Sequence, residues 1–84
     1  MDARRASSGS VELSVTYPEA VALHEALAYG EWSGEFEQMG YLDPLFVSVL
    51  GRLQQALAPL IPELGSDSYS AAVDEALQAL RPAP

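Results

Sequence analysis

Hydrophobic residues recur at steps of three and four between positions 43 and 64: Phe46, Val49, Leu50, Leu53, Leu57, Leu60, Ile61 and Leu64. That spacing is the period of one helical face, and it predicts an amphipathic helix. Asp43 followed by Pro44 marks its start, a capping carboxylate and then a proline in the first turn. Pro59 and Pro62 lack amide donors and clash with the preceding turn. The helix is therefore expected to end near Leu57, followed by a kink or short turn over 60–64 and a stop at Gly65. As the longest apolar-periodic stretch, this segment is expected to organise the core, with the rest of the chain covering it. Gly51 sits inside it at a cost of about 1 kcal/mol against alanine, which points to close approach of another helix.

Upstream, residues 11–16 (VELSVT) alternate apolar and polar, the period of a half-buried strand. No second strand pattern is visible, so this strand either lies across the helices or pairs with its copy in a second subunit through Val11, Leu13 and Val15. Thr16, Pro18 and Glu19 read as a capping box opening a helix. Ala20, Leu23 and Leu27, with Ala26 or Tyr29, form its apolar face. Val21 and His24 fall on its flank, and Gly30 is the expected stop. Residues 30–42 (GEWSGEFEQMGYL) mix three glycines with Trp32, Phe36, Met39 and Tyr41 and with Glu31, Glu35 and Glu37. A helical turn over 33–39 would set Trp32 and Phe36 on one side, either as a lid over the core or as an aromatic-acidic patch. Ser66, Asp67 and Ser68 offer caps for a last helix, on which Tyr69, Val73, Ala76, Leu77 and Leu80 share a face. Pro82 ends it.

The predicted fold is thus mainly α: a small three-helix domain with one short N-terminal strand, which either pairs across a homodimer or lies across the helices. Residues 1–10, small and polar without periodicity, are expected to be a disordered tail. Residues 11–81 form the single helical domain, and 82–84 a frayed end. The chain of 84 residues has no cysteine, so neither a disulfide nor a thiolate metal site supports so small a core. Self-association that shares a core between subunits is one remedy.

Charge narrows the partner. Twelve carboxylates against four Lys and Arg residues give a net charge of -8. Such a surface repels nucleic-acid phosphates and anionic lipid, which excludes both as partners and favours a basic protein. No stretch approaches the roughly 18 apolar residues of a membrane span, and residues 1–10 lack the apolar core of a signal peptide. The cytoplasm is the expected location. The absence of lysine and asparagine beside abundant alanine, glycine, proline and arginine indicates GC-rich codons and a bacterial source.

Catalytic chemistry is not expected. His24 is the only histidine, no nucleophile–base–orienter set surrounds it, and it reads as a partly exposed helix residue. No phosphate-cradling or nucleophile-elbow motif is present. The spacing of Glu31, Glu35 and Glu37 matches no calcium loop. Neither a metal nor a cofactor is expected. What remains is a binding surface: Trp32, Phe36 and Tyr41 as anchors, with Glu31, Glu35 and Glu37 steering the encounter.

The pieces V-E-L-S-V-T, E-A-V-A-L-H-E-A-L, the Leu50–Leu57 leucine pattern and S-D-S-Y-S-A-A-V-D-E-A-L together resemble a family of short uncharacterised bacterial proteins built from a strand followed by three helices. The resemblance spans residues 11–81 and implies an element order, not an activity. The functional expectation is a small acidic protein-binding module, such as an inhibitor, antitoxin or immunity protein acting on a basic partner. The alternative is a non-catalytic structural or accessory subunit that assembles through its N-terminal strand.

Overall fold

The computed structural model describes residues 1–82, so the frayed end expected at 82–84 lies mostly outside the described residues. The chain is mainly helical: β1 (Asp2–Arg5), β2 (Val11–Ser14), α1 (Tyr17–Ser33), α2 (Glu35–Leu42), α3 (Pro44–Leu57), a 3-10 turn (Ala58–Leu60) and α4 (Tyr69–Leu80).

The N-terminal region departs from expectation. Residues 1–10 are not a disordered tail; they supply β1, which pairs antiparallel with β2, Arg4 opposite Glu12 and Ala3 opposite Leu13. Gly9, at φ 92°, closes the connecting loop, with its N–H on the Ala6 carbonyl at 3.0 Å. Arg4 and Glu12 meet across the strands at 2.5 Å. This pairing carries no apolar alternation on the β1 side, and so left no mark in the hydrophobic pattern. One edge of β2 is therefore filled within the chain, and Val15 packs onto the helical core. Val11 and Leu13 are exposed.

The capping box forms as its residues require. The Glu19 N–H donates to Thr16 Oγ1 at 3.3 Å, and the Thr16 N–H donates to Glu19 Oε1 at 2.9 Å. That backbone bond holds the Glu19 carboxyl below the usual range. Helix α1 then runs past Gly30, the expected stop, and ends at Gly34 (φ 80°), whose left-handed backbone a side chain would strain. Gly30 has another role. A Cβ there would lie 2.3 Å from Phe36 Cε1, so its missing side chain is the space the Phe36 ring fills.

The organising element is α1 and not the 43–64 segment. Two apolar clusters meet on it. Ala20 and Leu27 join Leu57, with Val15, Leu23, Phe36, Leu50 and Leu53 packed around them. Val21 joins Ile61 and Ala76, with Leu64, Tyr69 and Val73 alongside. The supposed flank of α1 is thus a second buried face, because α4 packs there. Segment 43–64 serves both clusters through the break its prolines impose. Leu57 ends α3 in the first, and Ile61, past the 3-10 turn, enters the second. The N-terminal half of α3 runs on beyond this core, so Phe46 and Val49 stand exposed, not buried; Leu60, in the 3-10 turn, is exposed as well. The Cα radius of gyration is 14.5 Å, against about 12 Å for a compact domain of this length.

Candidate functional site

A groove of about 760 Å³ lies where the end of α1, α2 and α3 converge. Two caps set its shape. Gly34 turns the chain from α1 into α2, helped by the Glu35 N–H on Ser33 Oγ at 3.4 Å. Asp43 then ends α2, its N–H on the Met39 carbonyl at 3.2 Å. Its side chain opens α3 by accepting the Leu45 N–H at 2.9 Å. A single residue, Asp43, separates α2 from α3, and residues of both helices line the groove.

Phe36, half-buried against the core, lines one wall with Tyr41 at the lip. Pro44, Val47, Ser48 and Gly51 line the other, extended by Gln54 and Gln55. Glu31 and Glu37 are the charged lining residues, and no basic side chain among the described residues joins them. A Cβ built on Gly51 meets nothing within 4 Å. The close approach that this glycine permits is not taken up by any described part of the chain.

Of the sequence-predicted patch, Glu31, Phe36, Glu37 and Tyr41 come together in this groove, whereas Trp32 and Glu35 lie outside it. Trp32 and Phe36 do not share a helical side, because the Gly34 break puts them on different helices. Trp32 is 84% and Tyr41 83% exposed. Trp32 stacks loosely on Tyr29, with ring centroids 6.3 Å apart and planes tilted 46°. Phe36 belongs to the lid as well as to the groove. The leucine stripe marks this segment as core and does not by itself reveal the α3 wall. Its signal was present as an uncharged row, Val47, Ser48, Gly51 and Gln54–Gln55, at steps of three and four beside the leucine stripe.

A second polar site corrects the view of His24. It is buried, not partly exposed, because α4 covers that side of α1. Its Nδ1 lies 3.4 Å from the Tyr69 hydroxyl, which donates to Glu25 Oε2 at 2.6 Å. With the Tyr69 proton directed at Glu25, the hydroxyl oxygen accepts from a protonated Nδ1. The rings meet edge to face, 6.3 Å apart at 81°. Burial first, and then the Glu25 carboxylate, raise the Tyr69 pKa above its usual value. The hydroxyl is thereby held as a donor, a clamp between α1 and α4. Tyr17 makes a similar bond to Glu63, which raises its pKa too. The Ser66–Ser68 segment does not cap α4; Ser66 Oγ donates instead to the Glu63 carbonyl at 2.7 Å.

Among the described residues, no three His, Cys, Asp or Glu side chains gather in a metal-binding arrangement, and no helix is long and apolar enough to cross a membrane. The chain matches no protein-family model, no characterised protein and no solved structure.

Proposed function

We propose that this protein is a small acidic protein-binding module that seats an apolar, basic segment of its partner in the α2–α3 groove, as an inhibitor, antitoxin or immunity protein would. One observation carries the proposal: an open groove with apolar walls whose charged lining residues are Glu31 and Glu37, on a chain of net charge -8. Apolar grooves with a few placed polar groups are the usual seats of amphipathic helices. Carboxylates at the wall add charge selection and a faster encounter with a cationic partner. The empty space over Gly51 supports a helix as occupant, since it lets a second backbone come close to α3.

The test is calorimetric titration with two amphipathic peptides of identical leucine spacing, one flanked by arginine and one by glutamate. The arginine peptide is expected to bind, at least tenfold more weakly with Glu31→Lys/Glu37→Lys and more weakly as salt rises. Gly51→Leu fills the groove and is expected to abolish binding without lowering helicity. Equal binding of both peptides, or full binding by Gly51→Leu, sinks the proposal.

A further inference from the structure

We propose that the protein pairs with a second copy of itself through an apolar face formed by Leu45, Phe46 and Val49 of α3 and by Leu42 at the end of α2, with the two α3 helices antiparallel. This face lies on the opposite flank of α3 from the groove, so the two surfaces are separable.

The sequence pattern makes the face incomplete as it stands. Phe46 belongs to the same stripe as Leu50, Leu53 and Leu57, but α1 covers only the later half of that stripe. The earlier half continues past the core into water: Leu45 is 65%, Phe46 56% and Val49 56% exposed, and Leu42, at the end of α2, is 81% exposed. At about 150–200 Å² for a fully exposed side chain of this size, the four leave roughly 450 Å² of apolar surface in solvent. A stable interface of ordinary size covers about 800 Å² on each partner, a little over half of it apolar, or again about 450 Å². The face thus supplies the apolar part of what a dimer needs, and the polar remainder comes from the residues around it. Leu45, Phe46 and Val49, with Asp43, also border a shallow hollow of about 280 Å³, which suits the entry of a side chain from the facing helix.

Charge selects the occupant. At -8 the chain repels a copy of itself over most of its surface. Helix α3 is the exception, since Arg52 is its single charged residue. Antiparallel pairing centred between Val47 and Ser48 sets Phe46 level with Val49 of the second copy. It also sets Asp43 level with Arg52 of the second copy, and the reverse. The two charges nearest the face then attract instead of repelling. A basic partner gains little here, because Asp43 is the one carboxylate at this face and its oxygen already accepts the Leu45 N–H. The high radius of gyration fits a chain whose apolar stripe is completed from outside.

Sedimentation velocity on the full chain between about 5 and 500 µM tests this. The mass is expected to rise from the 9.0 kDa of one chain towards twice that value. Phe46→Glu/Val49→Glu is expected to stay monomeric throughout, at least tenfold weaker in association, with helical circular dichroism unchanged because both positions are exposed. Leu45→Lys serves as a second, independent disruption should that pair unfold. Gly51→Leu, which blocks the groove, should leave the mass alone. A wild-type chain of monomer mass at every concentration overturns the proposal. So does a dimer that survives Phe46→Glu/Val49→Glu and Leu45→Lys, or one abolished by Leu13→Glu on the hairpin while those variants still dimerise.

Discussion

Gly30 and Gly51 are both interior to helices, and replacing each by alanine should have opposite effects. In a helix, alanine is favoured over glycine by about 0.5–1 kcal/mol, because the unfolded glycine chain has more freedom to lose. At Gly51 nothing stands within 4 Å of the new Cβ, so that gain should be kept whole. Gly51→Ala is expected to raise stability by about 0.5–1 kcal/mol, or about 2–8 °C in Tm for a domain of this size. At Gly30 the new Cβ would lie 2.3 Å from Phe36 Cε1, 2.4 Å from Cζ and 2.9 Å from Cδ1. The ring must move by more than 1 Å, and it is wedged against the Ala20–Leu27–Leu57 cluster. Overpacking of this kind costs about 1–3 kcal/mol, which exceeds the helix gain and leaves a net loss of about 0.5–2 kcal/mol. Urea unfolding followed by circular dichroism at 222 nm reads both. With a slope near 1 kcal/mol per molar urea, the midpoint should rise by about 0.5–1 M for Gly51→Ala and fall by about 0.5–2 M for Gly30→Ala. Phe36→Leu removes the offending ring atoms, so it should cost less in the Gly30→Ala background than alone, a coupling of about 0.5–3 kcal/mol. If Gly30→Ala raises the midpoint as much as Gly51→Ala, the packing of Phe36 onto α1 is wrong, and the groove wall it forms is wrong with it.

Other predictions concern the polar contacts. Tyr69→Phe removes the donor to Glu25 and the acceptor for His24, and should lower the unfolding free energy by about 1–2 kcal/mol in the same urea assay. The folded-state pKa of Tyr69 is raised, so its contribution is fully present below the unfolded value of about 10 and is lost as pH rises through the folded value. Wild-type stability should therefore decline above about pH 10, and Tyr69→Phe should flatten that decline; an unchanged slope would contradict the clamp. Thr16→Ala removes the side chain that caps α1 and should cost about 1 kcal/mol, seen as a lower Tm. Glu19, whose carboxyl is held low by the Thr16 N–H, stabilises α1 above its unfolded pKa and ceases to as pH falls through the folded one. Its conversion to glutamine should reduce the acid sensitivity of the melt.

Local signals were legible wherever one short stretch decides its own backbone. The Thr16–Glu19 box, the Asp43 cap before Pro44, and the break after Leu57 all stand where the residues place them. These features depend on hydrogen bonds and steric clashes within four residues, and the sequence contains both partners. One wall of the candidate groove was legible for the same reason. Glu31, Phe36, Glu37 and Tyr41 lie within one short connector, and their chemistry is visible without a fold.

The rest depended on which faces meet. Periodicity shows that a helix has an apolar side but not how many neighbours it has. Val21 and His24 looked like flank residues until α4 packed over them. Gly30 looked like a stop because glycine ends helices, yet the Phe36 ring, from the next helix, is what requires it. The reverse holds for Phe46 and Val49, whose spacing marks them as core although no described element covers them. Strand β1 was invisible because its pairing rests on backbone hydrogen bonds and the Arg4–Glu12 contact, not on an apolar alternation. The sequence by itself thus determined where each helix begins and breaks, through contacts a few residues apart. Only the tertiary structure decided which element is central, which apolar stripe is finished and which is left open, because burial is a property of two surfaces and the chain writes down one at a time.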